Sequence, residues 1–108
     1  MSKSSITTKT TEPTENLAPI HPGRILMKDL GDEGVSINGL AQAIRVPANR
    51  ISLIVNAKRS ITADTAARLG RFFGTSAQYW LNLQNRYDLD CLDGAAIERD
   101  VIPRSHAA

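Results

Sequence analysis

Residues 37–54, INGLAQAIRVPANRISLI, decide the fold. Leu40, Ala41 and Ile44 recur at helical spacing and mark the buried side of one short helix. Ser36, just ahead of them, is a residue type whose hydroxyl accepts a first-turn amide. The chain then breaks at Arg45-Val46-Pro47, because proline cannot continue a helix but can open one. A second helix is predicted from about Pro47 to Val55, with Ile51 and Ile54 inward. Two short helices that cross steeply need a small residue where they meet, and Ala41 supplies it. Helix, three-residue turn, helix is the helix-turn-helix arrangement. Its second helix fits the major groove of a duplex while its first lies across the backbone.

Many helical proteins contain such a corner without touching nucleic acid, so the outward residues decide. With Ile51 and Ile54 pointing in, Ala48, Asn49, Ser52 and Leu53 point out or sideways. Asparagine can make two hydrogen bonds to adenine, arginine can fork onto guanine, and alanine or leucine can meet a thymine methyl. Asn49, Arg50, Ala48 and Leu53 suit these roles in turn, with Ser52 beside them as a further base contact. Arg50 has a second use as an ion-pair or phosphate partner, and Leu53 is ambiguous between groove and core. Phosphate contacts are expected from Ser36 with the free amides of its helix, from Arg45, and from Asn56, Lys58 and Arg59 just past the reading helix.

The charge distribution agrees. The chain carries a net charge of +2, yet residues 45–85 hold Arg45, Arg50, Lys58, Arg59, Arg68 and Arg71 against Asp64 alone. A basic centre suits a polyanion, although a solvated face would have the same composition. The end of the chain is acidic: Asp88, Asp90, Asp93, Glu98 and Asp100 face three arginines over residues 86–108.

Outside this stretch the pattern stays helical, with no strand alternation of useful length. A first helix opens at His21-Pro22-Gly23, shows Ile25, Leu26 and Leu30 on one face, and ends at Gly31 and Gly34. A fourth is capped by Thr62, carries Ala66, Leu69 and Phe73, and stops at Gly74. Thr75-Ser76-Ala77-Gln78 fits a capping box for a fifth, which holds Trp80, Leu81 and Leu83 and is interrupted by the acidic stretch from Asp88 to Asp93. Residues 94–101 read as a short helix or an extended segment. Residues 1–19, eight of them Ser or Thr, cannot bury enough surface to offset ordering and read as a mobile tail. The organisation is therefore a tail (1–19), an all-α domain (20–90) and an acidic extension (91–108).

At 108 residues and 42% hydrophobic, the chain has the size and composition of one small domain. It holds no apolar run of membrane-spanning length and begins with Ser, Thr and Lys rather than an apolar leader, so a cytoplasmic location is expected. Cys91 is alone, which excludes a disulfide framework or a cysteine metal cluster. His21 and His106 have no partner with which to build a triad or metal site. Asp88, Asp90 and Asp93 have calcium-like spacing but lack the loop glycine and final glutamate. Neither an enzyme nor a cofactor is expected. Trp80 reads as a core anchor, with a dimer or partner contact as the alternative, and Tyr87 joins it in that second role.

Four stretches carry a resemblance. His21-Pro22-Gly23-x-x-Leu26, Val46-Pro47-Ala48-Asn49-Arg50-Ile51, Lys58-Arg59-x-Ile61-Thr62-Ala63-Asp64-Thr65-Ala66, and Trp80-Leu81-Asn82-Leu83-Gln84 followed by Tyr87-Asp88-Leu89 resemble the XRE/Cro helix-turn-helix proteins. More narrowly, they resemble the HigA (VapI-like) antitoxins. The resemblance implies a five-helix, lambda-repressor-like DNA-binding core and operator binding as a homodimer. It also implies neutralisation of a HigB-like toxin, a ribosome-dependent mRNA endonuclease. A phage-type or orphan repressor without a toxin shares the same DNA chemistry, and a helical interaction adaptor is the reading from another class. The family usually has glycine where this chain has Arg45 and Ala57, so either a left-handed backbone is tolerated at these non-glycine residues or the local geometry differs. The toxin could meet the N-terminal tail, the first helix around Arg24 and Lys28, or the acidic C-terminal stretch. The dimer could form through the fifth helix.

Overall fold

The computed structural model describes residues 18–105, which form six helices. They are α1 (Pro22–Glu33), α2 (Ile37–Ile44), α3 (Ala48–Val55), α4 (Ala63–Phe73), α5 (Ala77–Asp90) and α6 (Gly94–Asp100). Residues 1–17 and 106–108 lie outside the described residues, so the reading of a mobile tail falls there almost entirely.

One core runs through the first five helices. Leu26 and Leu30 of α1, Leu40, Ala41 and Ile44 of α2, Ile51 and Ile54 of α3, and Ala66 and Leu69 of α4 are buried together with Ile61 and Trp80. Helix α4 packs on α5, α2 on α3, and α1 bridges α3 and α5. The predicted inward faces of α2 and α3 are the observed ones.

Four of the six helices stop in the same way. A residue with positive φ follows the helix, and the amide one residue later reaches back five positions. The pairs are Val35 to the Leu30 carbonyl (2.9 Å), Val46 to Ala41 (3.0 Å), Lys58 to Leu53 (2.8 Å) and Thr75 to Gly70 (2.9 Å). At two of these stops the left-handed residue is glycine, Gly34 (φ 68°) and Gly74 (φ 76°). At the other two it is Arg45 (φ 62°) and Ala57 (φ 60°), the positions at which the resemblance implies glycine.

Several expectations are corrected. There are six helices rather than five, because the Asp93 carboxylate accepts the Ala96 amide at 3.0 Å and starts α6. The acidic stretch does not interrupt α5 at Asp88. Gln84 donates to Asp88 (2.9 Å) and Arg86 to Asp90 (3.1 Å), so these carboxylates hold the last turns together. Gly31 lies inside α1, and Gly34 alone ends it. Thr62 occupies the cap position of α4 without a side-chain bond to an amide. The capping box at 75–78 does not form. Ser76 is the cap and accepts the Tyr79 amide at 3.0 Å. The Thr75 hydroxyl instead accepts the Trp80 indole N–H at 3.0 Å, and Gln78 turns along the helix to Asn82.

Candidate nucleic-acid interface

The reading helix is short, and its orientation follows from what it buries. Ile51 and Ile54 are fully buried, and at 3.6 residues per turn the opposite side of α3 carries Asn49, Ser52, Leu53 and Asn56. Asn49 is exposed, as is Ala48 at the helix start, while Ser52 and Leu53 are half-buried. Ala48, Asn49 and Ser52 line one shallow cleft together with Ser36 and Asn38 at the start of α2. The polar flank of α3 and the amino end of α2 therefore share a surface. The Ser36 hydroxyl accepts the Gly39 amide at 2.9 Å.

The remaining expected phosphate groups sit at the two ends of α3. Lys58 and Arg59 are exposed in the turn beyond it. Asn56 is exposed too, but its amide donates to the Ser52 carbonyl at 2.9 Å and ties off the helix end. Arg45 is exposed in the turn before α3, where it lines a different concavity with Arg68 and Arg71 of α4. The two concavities lie on different flanks of the helix pair, so Arg45 is not gathered with Ser36 and Asn49.

Arg50 is placed apart from Asn49. Its Nη1 donates to Asp64 Oδ2 of α4 at 3.0 Å. The same carboxylate accepts Arg68 Nε on both oxygens, and Arg68 Nη1 continues to the Ile44 carbonyl at the end of α2 (2.8 Å). The bonds from Arg68 and then from Arg50 hold the Asp64 carboxyl below its usual range. Sequence reasoning assigned no role to Asp64 or Arg68. Their four-residue spacing on one helix was the only local signal.

His21 locks the amino end of α1 to this surface. Its Nδ1 accepts the Gly23 amide at 2.9 Å, and its ring meets Tyr87 edge-on with centroids 4.8 Å apart. Burial pushes the imidazole below its usual range, against the opposing influence of Asp88 and the Arg59 backbone. Nδ1 can accept only while unprotonated. His21 therefore stabilises the fold fully above the ordinary histidine value of 6.5, and that contribution is lost as pH falls through its lowered folded value. Thermal melts are expected to be flat above about pH 7 and to fall below 6.5. His21→Asn, which keeps a capping oxygen without the titration, should remove this slope.

Trp80 is fully buried within the chain, between Tyr79 and Phe73. Its indole has no free surface for a partner, which corrects that alternative. Tyr87 is half-buried, with its ring against His21. Gln84, quoted above without a role, proves to be a buried polar tie: its Oε1 accepts the Ile61 amide at 2.8 Å and fixes the entry to α4. Among the described residues no three His, Cys, Asp or Glu side chains gather as a metal site, and no helix is long and apolar enough to cross a membrane.

The left-handed residues make a measurable cost. A side chain with a Cβ in that conformation is disfavoured by roughly 1–2 kcal/mol, which glycine avoids at some expense in chain entropy. Arg45→Gly is expected to raise stability by about 0.5–1 kcal/mol in urea unfolding.

Two short helices joined at a left-handed turn, the second showing a polar flank with cations beyond its end, define a helix-turn-helix protein. Residues 26–80 match the helix-turn-helix family. The chain belongs to this family, in its XRE-type form, and its structural neighbours are HigA antitoxins. It is 54% identical over 71 residues to virulence-associated protein I of Dichelobacter nodosus, covering 65% of this chain and 66% of that protein. The chain spans just under two thirds of the length of this protein and of two further curated relatives. It is similar to an addiction module antidote protein of the HigA family from Coxiella burnetii, with a TM-score of 0.78 and 48% identity over 82% of this chain and 100% of that one. It is also similar to the antitoxin HigA of Pseudomonas aeruginosa, solved with the higBA promoter, with a TM-score of 0.74 and 45% identity over 79% of this chain and 97% of that one.

Proposed function

We propose that this chain is a binding protein rather than an enzyme: a sequence-specific DNA-binding antitoxin that represses its own operon as a homodimer and neutralises a HigB-like mRNA-cleaving toxin. The observation that carries the reading is the shared surface of Ala48, Asn49 and Ser52 with the amino end of α2 at Ser36. A duplex lying there meets base readers and a phosphate seat at once. Asn49 makes the paired hydrogen bonds to an adenine, Ala48 and Leu53 meet thymine methyls, and Ser52 bonds a neighbouring base edge. Ser36 with the free amides of α2, Arg45, Asn56, Lys58 and Arg59 meet phosphates and set the register. One domain with so few contacts binds weakly, so two copies on half-sites about one helical turn apart are part of the reading. The promoter bound in the Pseudomonas HigA structure supports the DNA partner.

The test is a gel shift on the promoter of the chain's own gene together with co-purification of the neighbouring gene product. A shift competed by promoter DNA but not by a scrambled duplex, and a stable complex with a small toxin, are expected. A shift without a toxin would leave a repressor alone, and no shift would end the DNA reading. Lys58→Ala should weaken binding to all sequences alike and lower the slope of log affinity against log salt by about 1.

A further inference from the structure

Arg50 sits on the reading helix, yet its guanidinium is not free. Its side chain leaves α3 on the flank facing α4, with 25% of its surface exposed against 57% for the Asp64 side chain it meets. Nη1 is engaged by Asp64, and Nε is buried with no hydrogen-bond partner. An arginine that forks onto guanine needs one whole edge of the guanidinium presented to the base. Here one nitrogen is taken and another is enclosed. The same carboxylate holds Arg68, and Arg68 holds the carbonyl of Ile44. One acidic group thus ties the start of α3, the first turns of α4 and the end of α2, the three segments that meet around the left-handed turn at Arg45.

We propose that Asp64 is a positioning residue for DNA recognition: it holds Arg50 as a strut beside α3 and keeps its guanidinium out of the duplex, so that base preference rests on Ala48, Asn49, Ser52 and Leu53. The inference rests on the DNA-binding reading and adds a specificity-determining residue to it. The physical logic lies in the enclosed Nε. A buried N–H without a partner is unfavourable, and Arg50 tolerates it only while the Asp64 carboxylate anchors the far end of the guanidinium. Once that charge is removed, the guanidinium gains by turning toward water or toward the nearest phosphate. A phosphate contact is indifferent to sequence, so freeing Arg50 adds affinity for every duplex and dilutes discrimination.

The experiment measures anisotropy with the promoter duplex and a scrambled duplex of equal length, at several salt concentrations. The proteins are wild type, Asp64→Asn, Arg50→Ala and the double variant, with urea unfolding run on each. Asp64→Asn keeps the shape of an exposed side chain, so the fold is retained. It is expected to steepen the salt slope by about 1 and to raise affinity for the scrambled duplex roughly fivefold, lowering the preference for the promoter. Arg50→Ala alone should leave promoter preference near wild type, and adding it to Asp64→Asn should return the slope to the wild-type value. The proposal is overturned if Asp64→Asn leaves slope and preference unchanged. It is equally overturned if the slope stays steep in the double variant, since the gain then comes from lost repulsion alone. Loss of base preference at one position in Arg50→Ala would make Arg50 a reader and overturn it as well. If wild type itself does not prefer the promoter, the DNA-binding reading falls first, and that result is distinct from the other three.

Discussion

Replacing Gly23 by alanine is expected to destabilise the protein by about 3 kcal/mol, a fall in melting temperature on the order of 15 °C. A Cβ there would collide with the Ile54 carbonyl oxygen, with its carbonyl carbon 2.8 Å away and the Val55 Cα at 3.0 Å. All three are backbone atoms at the end of α3, so no side chain can rotate away. The start of α1 must move instead, and with it the His21 cap. Operator affinity should fall together with stability, because the Lys58–Arg59 turn loses its support. Gly31→Ala in the same helix is the control. Its Cβ meets nothing within 4 Å, and the better helix propensity of alanine should stabilise by up to about 1 kcal/mol. Opposite signs for one substitution at two positions of one helix, read by thermal and urea unfolding, separate close backbone approach from helix propensity.

The second large effect concerns binding. Asn49→Ala is expected to cost on the order of 1–3 kcal/mol in operator affinity, about tenfold to more than a hundredfold, and to relax discrimination at one base pair. Stability should stay near wild type, since Asn49 is exposed and its side chain supports no other element. Competition between operator variants substituted one base pair at a time measures both. The contrast with Lys58→Ala is diagnostic. Loss of a phosphate contact weakens all sequences equally and changes the salt slope, whereas loss of a base contact does neither.

What the sequence revealed was local. The apolar spacing of Leu40, Ala41, Ile44, Ile51 and Ile54 fixed two helices and their buried faces, because helical periodicity is written over a few residues. Ser36 was legible as a cap for the same reason. The family likeness drew attention to Arg45 and Ala57, and both are left-handed. What stayed hidden depended on the third dimension. Thr75 and Ser76 are both capping residue types, and only the position of the Trp80 indole decides which one caps. The Arg50–Asp64 pair joins residues 14 apart, and the Arg68–Ile44 bond joins residues 24 apart, so no spacing rule reaches them. The close approach at Gly23 is set by where α3 ends, some thirty residues later in the chain. The reading helix was therefore legible, but the struts that hold it were not.

The central claim is that α3 lies in the major groove of the chain's own promoter, and chemical protection tests it most directly. Dimethyl sulfate methylates guanine N7 in the major groove and adenine N3 in the minor groove. The account predicts protection of the guanine N7 atoms covered by α3, in two clusters about one helical turn apart, and kept in Asn49→Ala at saturating protein because Asn49 reads an adenine. Protection confined to adenine N3, or none at protein concentrations that saturate the shift, would contradict it.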